Sequence, residues 1–488
     1  MKRVFLIILS TIIVVKFNSL EAQISVPQIL GNDMVLQNGV QVPVWGKATA
    51  GEKVTVTFAS QTRSAVANDS GKWKIVLSKL KISSTPQDLV IRGNKSSHSI
   101  TLHNILVGEV WLCSGQSNMA YTMRMNSKVK KDYTTETLDG HSPIDELQYA
   151  HNKNIRIFLA DRKRLAKDHP DHDGWSVAED SALRSFSAPA YFFARKLYNE
   201  LKIPIGIISS AVPGSAIEPW FAGKLTDSPY VNNPAVFDLN NPGKFYSSMI
   251  EPLAPFAIKG FLWYQGETNC FQNESIGYVY KMKALIEQWR KLWDNNKLPF
   301  YYTEIAPFNY SKSRGKYPLD EETLPKFWEA QSLAKKIPFT DMIVTTDLPD
   351  NLDNIHPPGK WEVGNRLALV ALGRDYGKKI IYNSPEYNYS STDGSRIIIH
   401  FKKQDSKLIS KDGKPLTYFE VAGADGKFYK ADAKIISNDE ISLSSAQVEK
   451  PVNARFAWIE SAQSNLFNDA GLPAEPFRTN NPYTNIKL

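Results

Sequence analysis

The stretch Ile105-Leu106-Val107-Gly108-Glu109-Val110-Trp111-Leu112-Cys113-Ser114-Gly115-Gln116-Ser117-Asn118-Met119 decides the fold. Up to Cys113 it is almost wholly apolar and β-prone, and Gly115-Gln116-Ser117 then forms a tight polar turn. An apolar run without in-out alternation is the pattern of a strand buried on both faces, as in parallel sheets covered by helices. The segments that follow repeat it. The spacing predicts a helix over 190–201, a strand over 205–209, a strand over 260–264 and a helix over 275–293. A strand over 300–305, a helix around 327–334, a strand over 342–346 and a helix over 360–372 complete the series. Apolar strands alternating with amphipathic helices predict an α/β domain over residues 106–375 with a mostly parallel sheet.

On either side the pattern changes. Between residues 23 and 105, runs such as Lys53-Val54-Thr55-Val56-Thr57-Phe58 and Lys72-Trp73-Lys74-Ile75-Val76-Leu77 alternate with turns such as Asn68-Asp69-Ser70-Gly71, which predicts a small β-sandwich. Residues 376–488 return to strands, as in Arg396-Ile397-Ile398-Ile399-His400-Phe401, broken by turns such as Lys411-Asp412-Gly413-Lys414, and predict a second β module. At the start, Lys2 and Arg3 precede an apolar run from Val4 to Val15. Residues 1–22 therefore read as a secretory signal peptide cleaved near Ala22. A retained anchor is the other reading, but the run falls short of the ~20 apolar residues that span a bilayer. The mature chain is expected to be exported, periplasmic or extracellular, with no stable membrane insertion. The polar loop from Tyr121 to Glu146 reads as a surface lid.

The chain has 488 residues, 42% hydrophobic and 22% charged, close to globular averages, which excludes disorder and a polytopic membrane protein. Its net charge of +8 arises from basic residues spread along the chain and offset by 50 acids. With no clustered basic face and no recognisable module, no nucleic-acid partner is expected. Cys113 and Cys270 lie in or beside apolar runs and read as small buried hydrophobes. No HExxH, Cys/His cluster or phosphate-binding glycine loop occurs, so no metal or cofactor is expected.

Four motifs carry the chemistry. In a parallel sheet ligands bind beyond the carboxyl ends of the strands, which is where Ser117 would stand. A serine there is equally a turn or cap residue, and Met119 departs from the GxSxG elbow. A serine nucleophile needs a base. His356, in Asp353-Asn354-Ile355-His356-Pro357-Pro358-Gly359, lies in the loop before the last helix and opens on the same edge. Asp353 is the first candidate to hold its imidazole in the working tautomer. Oxyanion donors are expected at two other strand ends: the Gly214 N–H in Val212-Pro213-Gly214-Ser215 and the Gln265 amide in Tyr264-Gln265-Gly266-Glu267.

Taken together, the blocks GQSNM, SSAVPGSAIEPW, WYQGETN and IHPPGKWEVGNRLA resemble those of the sialate O-acetylesterase family of SGNH-type hydrolases, which are also similar to one family of acetyl xylan esterases. The resemblance extends to Asn32-Asp33-Met34-Val35-Leu36-Gln37 and to Pro476-Phe477-Arg478-Thr479, and so covers nearly the whole mature chain. It implies a flavodoxin-like SGNH domain flanked by β-sandwich-type modules. Ser117 would be the nucleophile and His356 the base, with the Ser117 N–H, the Gly214 N–H and Gln265 in the oxyanion hole. Gln116, Asn118, Glu267 and Trp220 are expected to contact substrate. The orienting acid is Asp353, Asp350, Asp347 or none, and Pro213, where the family commonly has a second glycine, stiffens the oxyanion loop.

The expected partner is an O-acetylated glycan. Two other readings use the same features. Two β modules with 11 Trp, 21 Tyr and 23 Phe would suit a non-catalytic carbohydrate-binding protein, and the Ser-His pair would also suit a lipase. The loops have no long apolar stretch for an acyl chain, and acetylated xylan is the alternative to acetylated sialic acid as substrate.

Overall fold

The computed structural model describes residues 23–95, 99–160, 174–223 and 243–488, so the signal sequence expected over 1–22 lies outside the described residues. Its first strands are β1 (Val35–Gln37), β2 (Val42–Lys47), β3 (Lys53–Phe58), β4 (Gln61–Val66), β5 (Lys72–Leu77) and β6 (Ser83–Gly93). The alternation read from the sequence buries one face of β3 and of β5: Val54, Val56 and Phe58 point into the core, as do Trp73, Ile75 and Leu77. β2 and β5 form a ribbon, while β4, β3 and β6 form a sheet whose β6 edge pairs with the next strand.

That next strand, β7 (Ser99–Gly115), belongs to two sheets. Its first half pairs with β6 and β1, and its second half runs parallel between β10 (Ile205–Ala211) and β11 (Gly260–Tyr264). The boundary expected between residues 105 and 106 therefore falls inside a strand. The two units share one hydrophobic core, reaching from Ile24 to Leu372.

β8 (Ile155–Leu159), β12 (Phe300–Thr303) and β13 (Thr340–Ile343) complete the parallel sheet, and β9 (Trp175–Val177) closes one edge antiparallel to β8. The order is β13-β12-β11-β7-β10-β8-β9. From β10 to β13 this is the flavodoxin-like order, with β8 and β9 added outside β10. The sequence order reverses between β7 and β11, and ligand crevices form at such switch points. Helices α1 (Met123–Asn126), α2 (Asp180–Ser185), α3 (Ala188–Leu201), α4 (Glu267–Phe271), α5 (Gly277–Leu292), α6 (Thr323–Leu333) and α7 (Lys360–Asp375) connect and cover the sheet. Among the described residues no helix is long and apolar enough to cross a membrane.

The segment Tyr121–Glu146 is not the free lid its polarity suggested. Met123 and Ile144 are fully buried, Tyr133 Oη donates to Leu348 O at 2.7 Å, and Glu146 accepts from Tyr191 Oη at 2.6 Å. Residues after 386 form antiparallel sheets around a separate core that includes Ile397, Ile399, Phe419, Ile441 and Phe456. This module is tied to the α/β unit by paired side chains, among them Arg478 with Glu329 at 2.8 and 2.7 Å.

Candidate active site

The turn after β7 is built by close backbone approach. Gly115 has φ +139°, and a Cβ there would lie 2.1 Å from Tyr264 O, so only glycine fits between β7 and β11. Gln116 N–H donates to Tyr264 O and Val212 N–H to Gly115 O, both at 3.0 Å, stitching the turn to the strands on each side. Ser187 Oγ donates to Met119 O at 2.6 Å and caps α3 by accepting from Ala190 N–H at 3.3 Å. Ser117 stands half-buried at the top of this turn. Its N–H has no hydrogen-bond partner among the described residues, and neither has that of Gly214, which is exposed with φ +72° at the end of the neighbouring strand β10. Two unspent backbone donors at adjacent strand ends are suited to a developing oxyanion.

His356 reaches the same place from the loop between β13 and α7. Asn118 Nδ2 donates to Ile355 O at 3.0 Å, so the residue after Ser117 is bonded to the residue before His356. Lys360 Nζ donates to Asn118 Oδ1 and to Pro357 O, each at 2.7 Å. Asn118 also donates to the buried carboxylate of Glu267, at the start of α4. His356 is half-buried, and burial followed by the nearby Lys360 charge pushes its ring below the ordinary imidazole range. A ring held neutral is able to accept a proton.

Several expected roles are not those the structure supports. Asp353 is exposed and accepts from Asn309 Nδ2 at 2.6 Å and Lys312 Nζ at 3.1 Å, so it faces away from His356. Asp347 accepts both fork nitrogens of Arg366 at 2.7 Å, and this buried pair, despite the opposing cost of burial, holds its carboxyl below the usual range. Asp350 is exposed and makes no hydrogen bond among the described residues. Among the described residues no carboxylate bonds the His356 ring, so none of the three expected acids orients it here.

Gln116, Asn118, Glu267 and Trp220, expected to contact substrate, are each no more than 3% exposed and are bonded within the protein beneath the turn surface. Buried polar groups must find partners, and theirs are one another and the turn backbones. Gln116 Oε1 accepts from Gln265 Nε2 at 3.1 Å and from Thr268 N–H at 3.3 Å, and Trp220 Nε1 donates to Ser215 Oγ at 3.1 Å. Gln265 is itself fully buried, and its amide nitrogen is spent on Gln116, on Ser215 O at 3.2 Å and on Asn269 Oδ1 at 2.8 Å. It holds the β7, β10 and β11 turns together and offers no free donor to an oxyanion.

Two groups escaped the sequence reading. Lys360 directly follows the histidine motif, where a lysine reads as an ordinary first-turn residue of α7. Beneath the Gly214 turn, Asn269 Oδ1 accepts from Ile217 N–H at 3.0 Å, while Lys281 is paired with both Glu218 and Glu274. Burial pushes the Glu274 carboxyl up to about 7. The only signal for it was one lysine on the apolar face of α5.

Comparisons with known proteins cover most of the chain. Residues 107–373 match the family described as carbohydrate esterase, sialic acid-specific acetylesterase. The human sialate O-acetylesterase is 27% identical over 498 residues, covering 92% of this chain and 91% of its own. The rat sialate O-acetylesterase is 26% identical over 518 residues, with 92% and 93% covered. A carbohydrate acetylesterase from Xanthomonas citri has a solved structure that is 31% identical, with a TM-score of 0.80, covering 94% of this chain and 99% of its own.

Proposed function

From the premise that this chain belongs to the carbohydrate esterase, sialic acid-specific acetylesterase family, we propose that it removes acetyl groups from O-acetylated sialic acids by a Ser117–His356 acyl-enzyme mechanism. It is an esterase acting on acetylated carbohydrate, and the binding-protein and lipase readings are not favoured. The observation that carries the mechanism is the bonding of Asn118 to Ile355 O and of Lys360 to both Asn118 and Pro357 O, which brings the nucleophile and base segments to one mouth.

In the first half-reaction His356 takes the Ser117 hydroxyl proton as the oxygen attacks the acetyl carbonyl. The tetrahedral oxyanion is received by the Ser117 and Gly214 N–H groups. His356 then gives its proton to the departing sugar oxygen, leaving acetyl on Ser117. Water, deprotonated by the same ring, attacks the acyl-enzyme, and the ring returns that proton to Ser117 Oγ as acetate leaves. No carboxylate among the described residues bonds the ring, and the loop is shaped locally by the His356 main-chain N–H, which donates to Asn354 Oδ1 at 3.1 Å.

Acetate release from O-acetylated sialoglycans and from acetylated plant polysaccharide, measured side by side, tests the substrate. Release from the sialoglycan is expected, and activity on the plant polymer alone would overturn the sialate assignment while leaving the chemistry intact. Export through cleavage near Ala22 is supported by Lys2, Arg3 and the apolar run that follows. N-terminal sequencing of the mature protein checks it.

A further inference from the structure

We infer that Lys360 is a positioning residue for the reaction, locking the Ser117 turn to the His356 loop and acting on the imidazole through its charge. The inference rests on the Ser117–His356 reading above and adds to it the group that holds the pair in register.

A fully buried ammonium is costly unless it is well bonded, so its surroundings indicate what it is for. Lys360 Nζ has two oxygen partners at 2.7 Å, and each sits one residue from a reacting side chain: Asn118 Oδ1 beside Ser117, and Pro357 O beside His356. The Asn118 amide completes the lock by donating to Ile355 O on the other side of His356 and to Glu267 at the start of α4. The negative charge that compensates the lysine is therefore Glu267, reached through one amide. Two aromatic faces enclose the ammonium, with Tyr121 and Tyr264 centroids at 5.0 and 5.5 Å. An apolar side chain of the same length would fill this space at lower cost in desolvation, but it would leave Asn118 Oδ1 and Pro357 O without a donor.

The groups facing Lys360 are Glu267 from α4, Tyr264 from β11, Tyr121 from the segment after β7 and His356 from its own loop. Asp350 lies near enough to Tyr121 and Tyr133 to act on both. Burial pushes Lys360 down to about 7 and Glu267 opposes this, while the lysine in turn lowers His356.

The test is the pH profile of kcat and KM for Lys360→Met and Lys360→Arg on an aryl acetate, beside Ser117→Ala. Misplacing reacting groups by about 1 Å costs on the order of 10²-fold, so Lys360→Met is expected to lower kcat by about 100-fold with KM nearly unchanged. Its acid limb moves up, because the charge that disfavours imidazolium is gone. Lys360→Arg keeps the charge and retains the wild-type acid limb. A wild-type kcat with an unmoved acid limb in Lys360→Met overturns the inference. Full acetate release by Ser117→Ala overturns the underlying Ser-His reading instead. If neither lysine variant folds, NMR titration of the wild-type enzyme decides: the His356 ring resonance should show a second inflection as Lys360, pushed down to about 7, loses its charge, and a single inflection overturns the inference.

Discussion

Ser117 stands on a turn whose neighbours are buried and bonded on three sides, at the end of a strand that runs through the middle of the molecule. His356 stands in a loop where Asn351, Asp353 and Asn354 are exposed. That loop is held at a few points: Asn118 to Ile355 O, Tyr133 to Leu348 O, Lys360 to Pro357 O, and Gln463 Nε2 of the C-terminal module to Pro349 O at 2.6 Å. The Ser117 turn is thus positioned by the core of the fold and the His356 loop by separate contacts from four regions. Damage beneath Ser117 should cost stability and activity together. Damage around His356 should cost activity first.

Substitutions on each side break or sharpen this contrast. Ser117→Ala removes the nucleophile without disturbing the turn, and acetate release from an aryl acetate should fall by about 10³-fold or more with an unchanged unfolding transition. Trp220→Ala empties a fully buried site under the Gly214 turn. A loss of about 3–5 kcal/mol in denaturant unfolding is expected, with activity falling in parallel. On the base side, Gln463→Ala deletes one hydrogen bond to the loop. It should cost about 1 kcal/mol of stability and lower kcat a few-fold, and a loss of stability as large as that of Trp220→Ala would erase the distinction.

Two smaller effects refine the base side. His356 works as a base only when neutral, and burial and Lys360 hold its ring below the ordinary 6.5. On lowering the pH, the midpoint of the acid limb of kcat/KM is therefore expected below 6.5. An acid limb above 6.5 would mean that a carboxylate reaches the ring. Asp353→Asn should change kcat less than about twofold, since Asp353 bonds Asn309 and Lys312 in solvent and exposed pairs contribute little. A large loss would restore Asp353 as the orienting acid.

Much of this was legible in the sequence because it is written locally. The unbroken apolar runs of β7, β10 and β11 marked a parallel sheet, and the polar turns after two of them marked where Ser117 and Gly214 would stand. The alternation in β3 and β5 marked a half-buried β module. Helix ends were read to within a few residues, as for α5 and α7, since capping and periodicity act over a single turn.

Other features depend on which groups meet in space. Asp353 lies three residues from His356 and belongs to Asn309 and Lys312, because a loop carboxylate takes the nearest donors in three dimensions. Gln116, Asn118 and Glu267 stand in a motif and yet face inward, where burial obliges them to bond one another. Nor does the pattern of β7 reveal that it serves two sheets, because pairing partners are chosen by the tertiary arrangement. By itself, then, the sequence determined the sheet, the order of the four motifs and the candidates for nucleophile and base. Only the tertiary structure decided which polar residues hold the site from below and what positions the base, since periodicity is a property of neighbours along the chain and hydrogen bonding of neighbours in space.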